Sequence, residues 1–248
     1  MRQLLPDPID PVDPVALYGA DERIDHADRP WVIVNMIASI DGAISVDDRS
    51  GGLGGPADRR VFRTLRELPD VILVGASTVR TEGYGPVRLD QHAMARRRAR
   101  GQSDTPRLVI VSGSLGLDTA AAVFAASSPP LVVTTACADD RRRGALEEVA
   151  EVMTAGATRV SMREMLGQLH DAGVRTVLCE GGPTVNAQLL DDDLVDEWCQ
   201  TLSPLLVGGD AGRAAMGDAS PGRTPSRFRV RRLLEDDDML LVDYTRAQ

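Results

Sequence analysis

Two patterns alternate along the first three quarters of the chain. Short runs of almost wholly apolar residues start at Trp31 (WVIVNMIASIDGAI) and recur as DVILVG (70–75), RLVIV (107–111), PLVVTT (130–135) and RTVLCE (175–180). Each is too short for a typical helix and lacks the every-second-residue polarity of a half-exposed strand. Such runs read as strands buried on both faces. Other stretches space their apolar residues three and four apart: ADRRVFRTLREL (57–68), residues 139–150, SMREMLGQLHDAG (161–173) and PTVNAQLL (183–190). These read as helices, and the alternation calls for a largely parallel sheet covered on both sides.

Beyond Leu190 the pattern changes. LVDEWCQTLSPLLVG, RFRVRRLLE and DMLLVDYTR are strand-like, and EDDD (235–238) reads as a hairpin turn between the last two. The sheet is therefore expected to end in antiparallel strands. The expected fold class is α/β: one domain over residues 31–248, with a largely parallel central sheet, flanking helices and antiparallel C-terminal strands. Four prolines in the first fourteen residues (MRQLLPDPIDPVDP) make residues 1–30 an expected irregular arm. Ser77 is expected to cap a short turn through STVR, and the basic stretch MARRRARGQ (94–102) to be a solvated surface loop.

Four unusual turns fall where strands should end: SIDG (39–42), GASTVRTEG (75–83), VSGS (111–114) and CEGGPT (179–184). In open α/β sheets ligands sit outside the carboxyl ends of the strands. Gly181 and Gly182 permit close backbone approach, and Pro183 suits the first position of a helix whose free N–H groups attract an anion. One such turn is ordinary loop chemistry. Four at strand ends point to an extended, phosphate-bearing ligand.

Charge and cysteine content narrow the classes further. Net charge is −9, with 37 acidic against 28 basic side chains, which argues against general binding of nucleic acid or an anionic membrane. The three cysteines, Cys137, Cys179 and Cys199, are widely spaced and form no CxxC pair, so reduced thiols are expected and neither a disulfide framework nor a bound metal. No apolar run approaches the roughly 20 residues of a membrane span, and the N-terminus lacks a signal-peptide core. A cytoplasmic location is expected.

NMIASIDGAI, LRELPDVILVGASTVRTEG, CEGGPTVNAQLL and LVDEWCQTLSPLLVGG, in this order, resemble the reductase domain of the RibD family of riboflavin biosynthesis. The resemblance implies a dihydrofolate-reductase-like fold and an NADPH-dependent reductase of 5-amino-6-(5-phosphoribosylamino)uracil. Hydride from the nicotinamide would reduce the ribose carbon bonded to the amine. It also suggests a homodimer. The zinc deaminase part of bifunctional members is not expected: His26, His92 and His170 are not followed by a suitably placed Glu, and no P-C-x-x-C occurs.

Carried over by position, Gly181, Gly182, Pro183, Thr184 and Val185 would hold the cofactor's pyrophosphate. Ile37, Gly52, Thr78 and Glu82 match other cofactor positions, and Ser112 lies where the family meets the adenosine end. Ser50, Arg66 and Arg88 match substrate positions, and two forked guanidiniums suit a ribose phosphate. Two roles fit Arg66, phosphate ligand or helix-surface partner of an acidic neighbour. Two also fit Glu180, which stands beside the substrate or bonds its own turn.

TEGYGPVR (81–88) departs from the family's D-D-P-x-L-T-x-R, so the substrate pocket is expected to differ here. Tyr84 would stack on a planar heterocycle or cap the surface. Asp58 either caps its helix or grips the 2-amino and ring N–H groups of a heterocycle, as a helix carboxylate does in the dihydrofolate reductase fold. Asp58 and Glu180 are the candidate catalytic carboxylates. Two alternatives to the riboflavin reductase stay open: a pterin reductase, and an NADP-binding sensor or scaffold without catalysis.

Overall fold

In the computed structural model, which describes residues 1–217 and 224–247, one sheet runs through the molecule. Its strands are β1 (Arg2–Leu5), β2 (Trp31–Ser39), β3 (Val71–Gly75), β4 (Arg107–Val111), β5 (Leu131–Thr134), β6 (Glu151–Thr154), β7 (Thr176–Cys179), β8 (Glu197–Ser203), β9 (Phe228–Asp236) and β10 (Met239–Arg246). They lie in the order β1-β9-β10-β8-β2-β7-β3-β4-β5-β6. From β8 to β6 every pairing is parallel, and β10, β9 and β1 add an antiparallel end. Residues 218–223 and 248, within the domain expected from the sequence, lie outside the described residues.

The helices are α1 (Pro14–Gly19), α2 (Pro56–Arg66), α3 (Ala76–Glu82), α4 (Gln91–Ala99), α5 (Asp140–Glu147), α6 (Met162–Asp171) and α7 (Pro183–Asp191). Alternate residues of the central strands pack to opposite sides. Ile33, Ile72, Ile110 and Leu178 join Ala57, Val61 and Leu65 of α2 in one core. Val32, Leu73, Val109 and Val177 join Met165 and Leu169 of α6 and Leu189 of α7 in the other. With apolar cover on both faces, no polar alternation survives, which explains the uninterrupted runs. At the predicted hairpin, Asp237 and Asp238 take φ of 56° and 60°, the left-handed pair that a two-residue turn requires.

Three expectations are corrected. The first thirty residues are not an irregular arm. β1 pairs with β9 (Gln3 opposite Leu234), and α1 packs on α2 with Tyr18 buried. The prolines permit this because Pro14 sits at the start of α1, where a missing N–H costs nothing, and Asp13 caps that helix. The basic stretch 94–102 is also ordered. Most of it forms α4, and the buried Arg97 donates to the carbonyls of Glu67, Pro69 and Ser103, tying down the chain beyond α2. Ser77 lies inside α3, whose N-cap is Gly75. Strand β6, with mixed polarity on an outer edge, had no signal in the pattern.

Candidate active site

The carboxyl ends of β2, β3 and β7 open on one cleft of about 520 Å³. Two of its walls meet through glycines. Gly75 N donates to Gly181 O at 2.8 Å. A Cβ on Gly182 would stand 2.6 Å from Thr78 Oγ1, and one on Gly75 would stand 3.2 Å from Val185 Cγ2. Side chains are excluded where α3 and α7 begin, and the backbone of α7's first turn is left bare to the cleft. That cradle fits a dinucleotide pyrophosphate.

The opposite wall is α2. Asp58, Phe62 and Arg66 recur at four-residue spacing and line the cleft together. Arg66 is committed to Glu180. Its Nε and Nη2 donate to Oε1 and Oε2, both at 2.6 Å, and the Tyr84 hydroxyl donates to Oε2 at 2.6 Å. The guanidinium carbon lies 4.2 Å from the centre of the Phe62 ring and 5.6 Å from that of Tyr84. Burial alone would make Arg66 a weaker base, but the paired Glu180 carboxylate outweighs it and the net shift is upward. The Tyr84 phenol is pushed well above its usual range, first by burial and then by the charge of Glu180. At neutral pH it therefore stays a hydrogen-bond donor.

Asp58 does not cap α2. The N-cap is Gly55, without a side-chain bond, and Asp58 follows three residues later in the first turn. Burial raises its carboxyl above the ordinary value, and the Thr201 hydroxyl and Arg59 offset part of that rise. A half-buried acid with an unfilled acceptor capacity on a ligand cleft is the arrangement expected for gripping N–H donors.

The structure sorts the candidates. Ile37, Ser50, Asp58, Arg66, Thr78, Glu82, Tyr84, Glu180, Gly182 and Pro183 line the cleft. Glu82 has a local partner too: its carboxylate accepts the Ser50 backbone N–H at 2.9 Å and pins the glycine-rich loop. Glu180 bonds Arg66 and Tyr84 across the cleft instead of bonding its own turn.

The other candidates do not join this lining. Val185 is a core side chain, and Gly181 is buried beneath Met36. Gly52 sits against Val46, where a Cβ would come within 2.9 Å. Thr184 is exposed on the first turn of α7, and Ser112 is buried at the end of β4. Arg88 lines a second pocket, because the chain beyond α3 turns to start α4 with Asp90 as N-cap, on the far side of α2. Sequence reasoning missed Asn35, Ile44, Arg59 and Phe62 among the cleft residues. The four-residue spacing of Asp58 and Arg66 about Phe62 was the available signal.

The RibD C-terminal domain family matches residues 30–241. The chain belongs to that family. Among curated relatives, the 2,5-diamino-6-ribosylamino-4(3H)-pyrimidinone 5′-phosphate reductase of Methanothermobacter thermautotrophicus is 30% identical over 219 residues, covering 88% of this chain and 98% of that protein. Among solved structures, a pyrimidine reductase-like protein from Corynebacterium diphtheriae is 27% identical with a TM-score of 0.84, over 96% of this chain and 100% of that one. Dihydrofolate reductase from Enterococcus faecalis, at 13% identity and a TM-score of 0.52 over 88% of this chain and 97% of that one, shares the fold.

Proposed function

We propose that this chain is an NADPH-dependent reductase of a phosphorylated ribosylaminopyrimidine. One observation carries the reading: two carboxylates, Asp58 and Glu180, face each other's walls of a cleft that also opens on the glycine cradle at the start of α7. Gly182, Pro183 and Thr78 would hold the cofactor, which supplies a hydride when bound. The chain's own residues then orient the acceptor. Glu180, fixed by Arg66 and Tyr84, accepts from the amine that bears the ribosyl group. Asp58 takes the ring edge, and the cleft walls exclude water. The substrate reacts in its ring-opened form: the C1′–O4′ bond breaks, the amine proton passes to O4′, and the imine carbon so formed would take the hydride while its nitrogen takes a proton from solvent.

Two pyrimidines fit this chemistry, 5-amino-6-(5-phosphoribosylamino)uracil and its 2-amino counterpart, the 2,5-diamino pyrimidinone named for the relatives. Asp58 favours the second, because a carboxylate matches a 2-amino group and a ring N–H together. The same observation keeps a pterin as the second reading. The preference for NADPH over NADH rests on the family resemblance, with Ser112 at the adenosine end. A homodimer and a cytoplasmic location belong to the same proposal. The exposed Ile40, Leu205 and Leu206 suit the dimer contact.

The deciding experiment is a panel of both pyrimidine phosphates and dihydrofolate, followed by NADPH absorbance. Turnover of a pyrimidine phosphate well above dihydrofolate supports the proposal, and NADPH oxidation with neither class defeats it. Gly182→Val should abolish NADPH binding in a titration, because its Cβ meets Thr78 and its methyl groups reach the cradle.

A further inference from the structure

Asn35 interrupts an otherwise apolar stretch of β2, WVIVNMIA. It lines the cleft, and its side chain makes no hydrogen bond among the described residues. In a half-buried strand an unpaired amide is less stable than an apolar side chain of similar size. Packing alone would therefore place an apolar residue there. Strand alternation sets the direction of the amide. Ile33, two residues earlier, and Leu178, two residues before Glu180, pack on the α2 side of the sheet. Asn35 and Glu180 share that side, each one residue beyond the paired Val34 and Cys179. On the other flank, Asn35 is opposite Cys199 and Ile37 opposite Thr201 of β8, and the Thr201 hydroxyl bonds Asp58. With β2 between β8 and β7, Asn35 lies on the floor between the Glu180 carboxylate and the Thr201–Asp58 pair.

A pyrimidine whose 2-amino and ring N–H groups meet Asp58, and whose 6-amine meets Glu180, turns one edge to the floor between them. That edge carries the 4-carbonyl and the 5-amino group on adjacent carbons, an acceptor beside a donor. A carboxamide offers the complementary pair, Nδ2–H and Oδ1. We propose that Asn35 reads this edge, donating from Nδ2 to the 4-carbonyl oxygen and accepting at Oδ1 from the 5-amino group. It makes the cleft specific for 5-aminopyrimidines. This rests on the reading that the substrate is a ribosylaminopyrimidine. The same residue separates that substrate from a pterin. In a dihydropterin the atom bonded to the matching ring carbon is a nitrogen of a C=N bond, which accepts and does not donate. It would face Oδ1 with no proton between them, and a site built to pair both groups rejects a ligand that leaves one unpaired.

The test has two arms on the full chain. In the first, NADPH oxidation is followed with the pyrimidine phosphate and with its analogue bearing hydrogen in place of the 5-amino group. Wild type should favour the 5-amino compound about tenfold or more in kcat/KM. Asn35→Ala loses both contacts, so it should slow both compounds and bring that preference close to one. Asn35→Asp keeps the acceptor and loses the donor, so it should slow both compounds and keep the preference. KM for NADPH should hold in both variants. The melting temperature of Asn35→Ala should not fall, because the side chain has no protein partner to lose.

In the second arm, binding of the two compounds in the presence of NADP+ is measured by calorimetry, without turnover. Wild type should bind the 5-amino compound more tightly, and Asn35→Ala should bind the two alike. Equal use of both compounds by wild type, or a 5-amino preference that persists in Asn35→Ala, overturns the assignment. A binding preference that depends on Asn35, with no reduction of either compound by wild type, upholds the assignment and defeats the functional reading instead.

Discussion

The cleft and the antiparallel end of the sheet both bury charge, and they do it in opposite ways. At the antiparallel end, Glu197 and Asp243 have side chains with no exposure. Arg23 donates to both oxygens of Glu197 at 2.9 Å, Trp31 Nε1 adds a bond at 3.2 Å, and Arg232 Nε donates to Asp243 at 3.0 Å. Asp21 closes the network by pairing with Arg23, Arg231 and Arg232. Glu197, Cys199 and Asp243 place ligand atoms within 4.8 Å of one another, which resembles a metal site in outline. Guanidiniums supply the cations there, and the cluster joins the segment after α1 to β8, β9 and β10. In the cleft, Asp58 borders open volume with acceptor capacity left over, and Glu180, held by Arg66 and Tyr84, lines the same volume. The network too leaves Asp243 Oδ1 without a hydrogen-bond partner, so what separates the two regions is the open volume that the cleft carboxylates border.

The largest expected effect separates the two regions. Arg232→Ala leaves Asp243 facing Glu197 in the interior with its closest donor gone. It should lower unfolding free energy by about 3–5 kcal/mol while the folded fraction keeps wild-type kcat and KM. Urea denaturation beside steady-state kinetics checks this. A comparable loss of kcat in fully folded protein would mean that the network is part of the catalytic apparatus.

Asp58→Asn should show the reverse split. Asn keeps the size but replaces one acceptor with a donor, so one of two N–H groups on the ring edge loses its partner. A loss of about ten- to a hundredfold in kcat/KM is expected, with the melting temperature nearly unchanged. Because burial raises the Asp58 pKa, kcat/KM of wild type should fall as pH drops through that raised value, when the carboxylate that accepts the ring N–H groups is protonated. The variant should lack that limb. An identical acid limb in both proteins would remove Asp58 from substrate recognition.

Asp243 predicts a pH effect on stability alone. Burial first, and the neighbouring Glu197 carboxylate second, push its carboxyl up to about 7, against an ordinary value of 3.8. Between those values the folded chain holds the proton and the unfolded chain has lost it. Stability therefore declines as pH rises from about 4 to about 7, and the cost is fully present above that. Asp243→Asn should not pay it, so the difference in unfolding free energy between variant and wild type should shift in the variant's favour across this window. A difference that stays level would place the Asp243 proton elsewhere.

The same contrast explains what the sequence revealed. Strands such as Ile72–Val74 and Val109–Ile110 were legible because two-sided burial leaves an apolar run, and α2 was legible because its spacing repeats within one element. The N-terminal strand and helix were not, since their order comes from residues more than 150 positions away, as with Gln3 opposite Leu234 and Arg23 on Glu197. Nor was the grip on Glu180, which joins Arg66 and Tyr84 from 114 and 96 residues away. Residue types at strand ends located the cleft. They did not say which arginine was free, and so Arg66 was legible as a site residue while its role was not.

The smallest expected effect concerns that grip. Tyr84→Phe keeps the ring beside Arg66 and removes only the hydroxyl that donates to Glu180 Oε2. Arg66 still bonds both carboxylate oxygens, so Glu180 stays ionised and buried, and the fold should lose little. One of three donors is gone, and the carboxylate regains some freedom to rotate within its pair. A roughly three- to tenfold fall in kcat is expected, equal for phosphorylated and dephosphorylated substrates, with KM for NADPH unchanged. If Tyr84 instead stacked on the bound heterocycle as its main task, the phenylalanine ring would serve as well and kcat would hold at the wild-type level. Turnover of Tyr84→Phe thus distinguishes a residue that orients Glu180 from one that only supplies an aromatic wall.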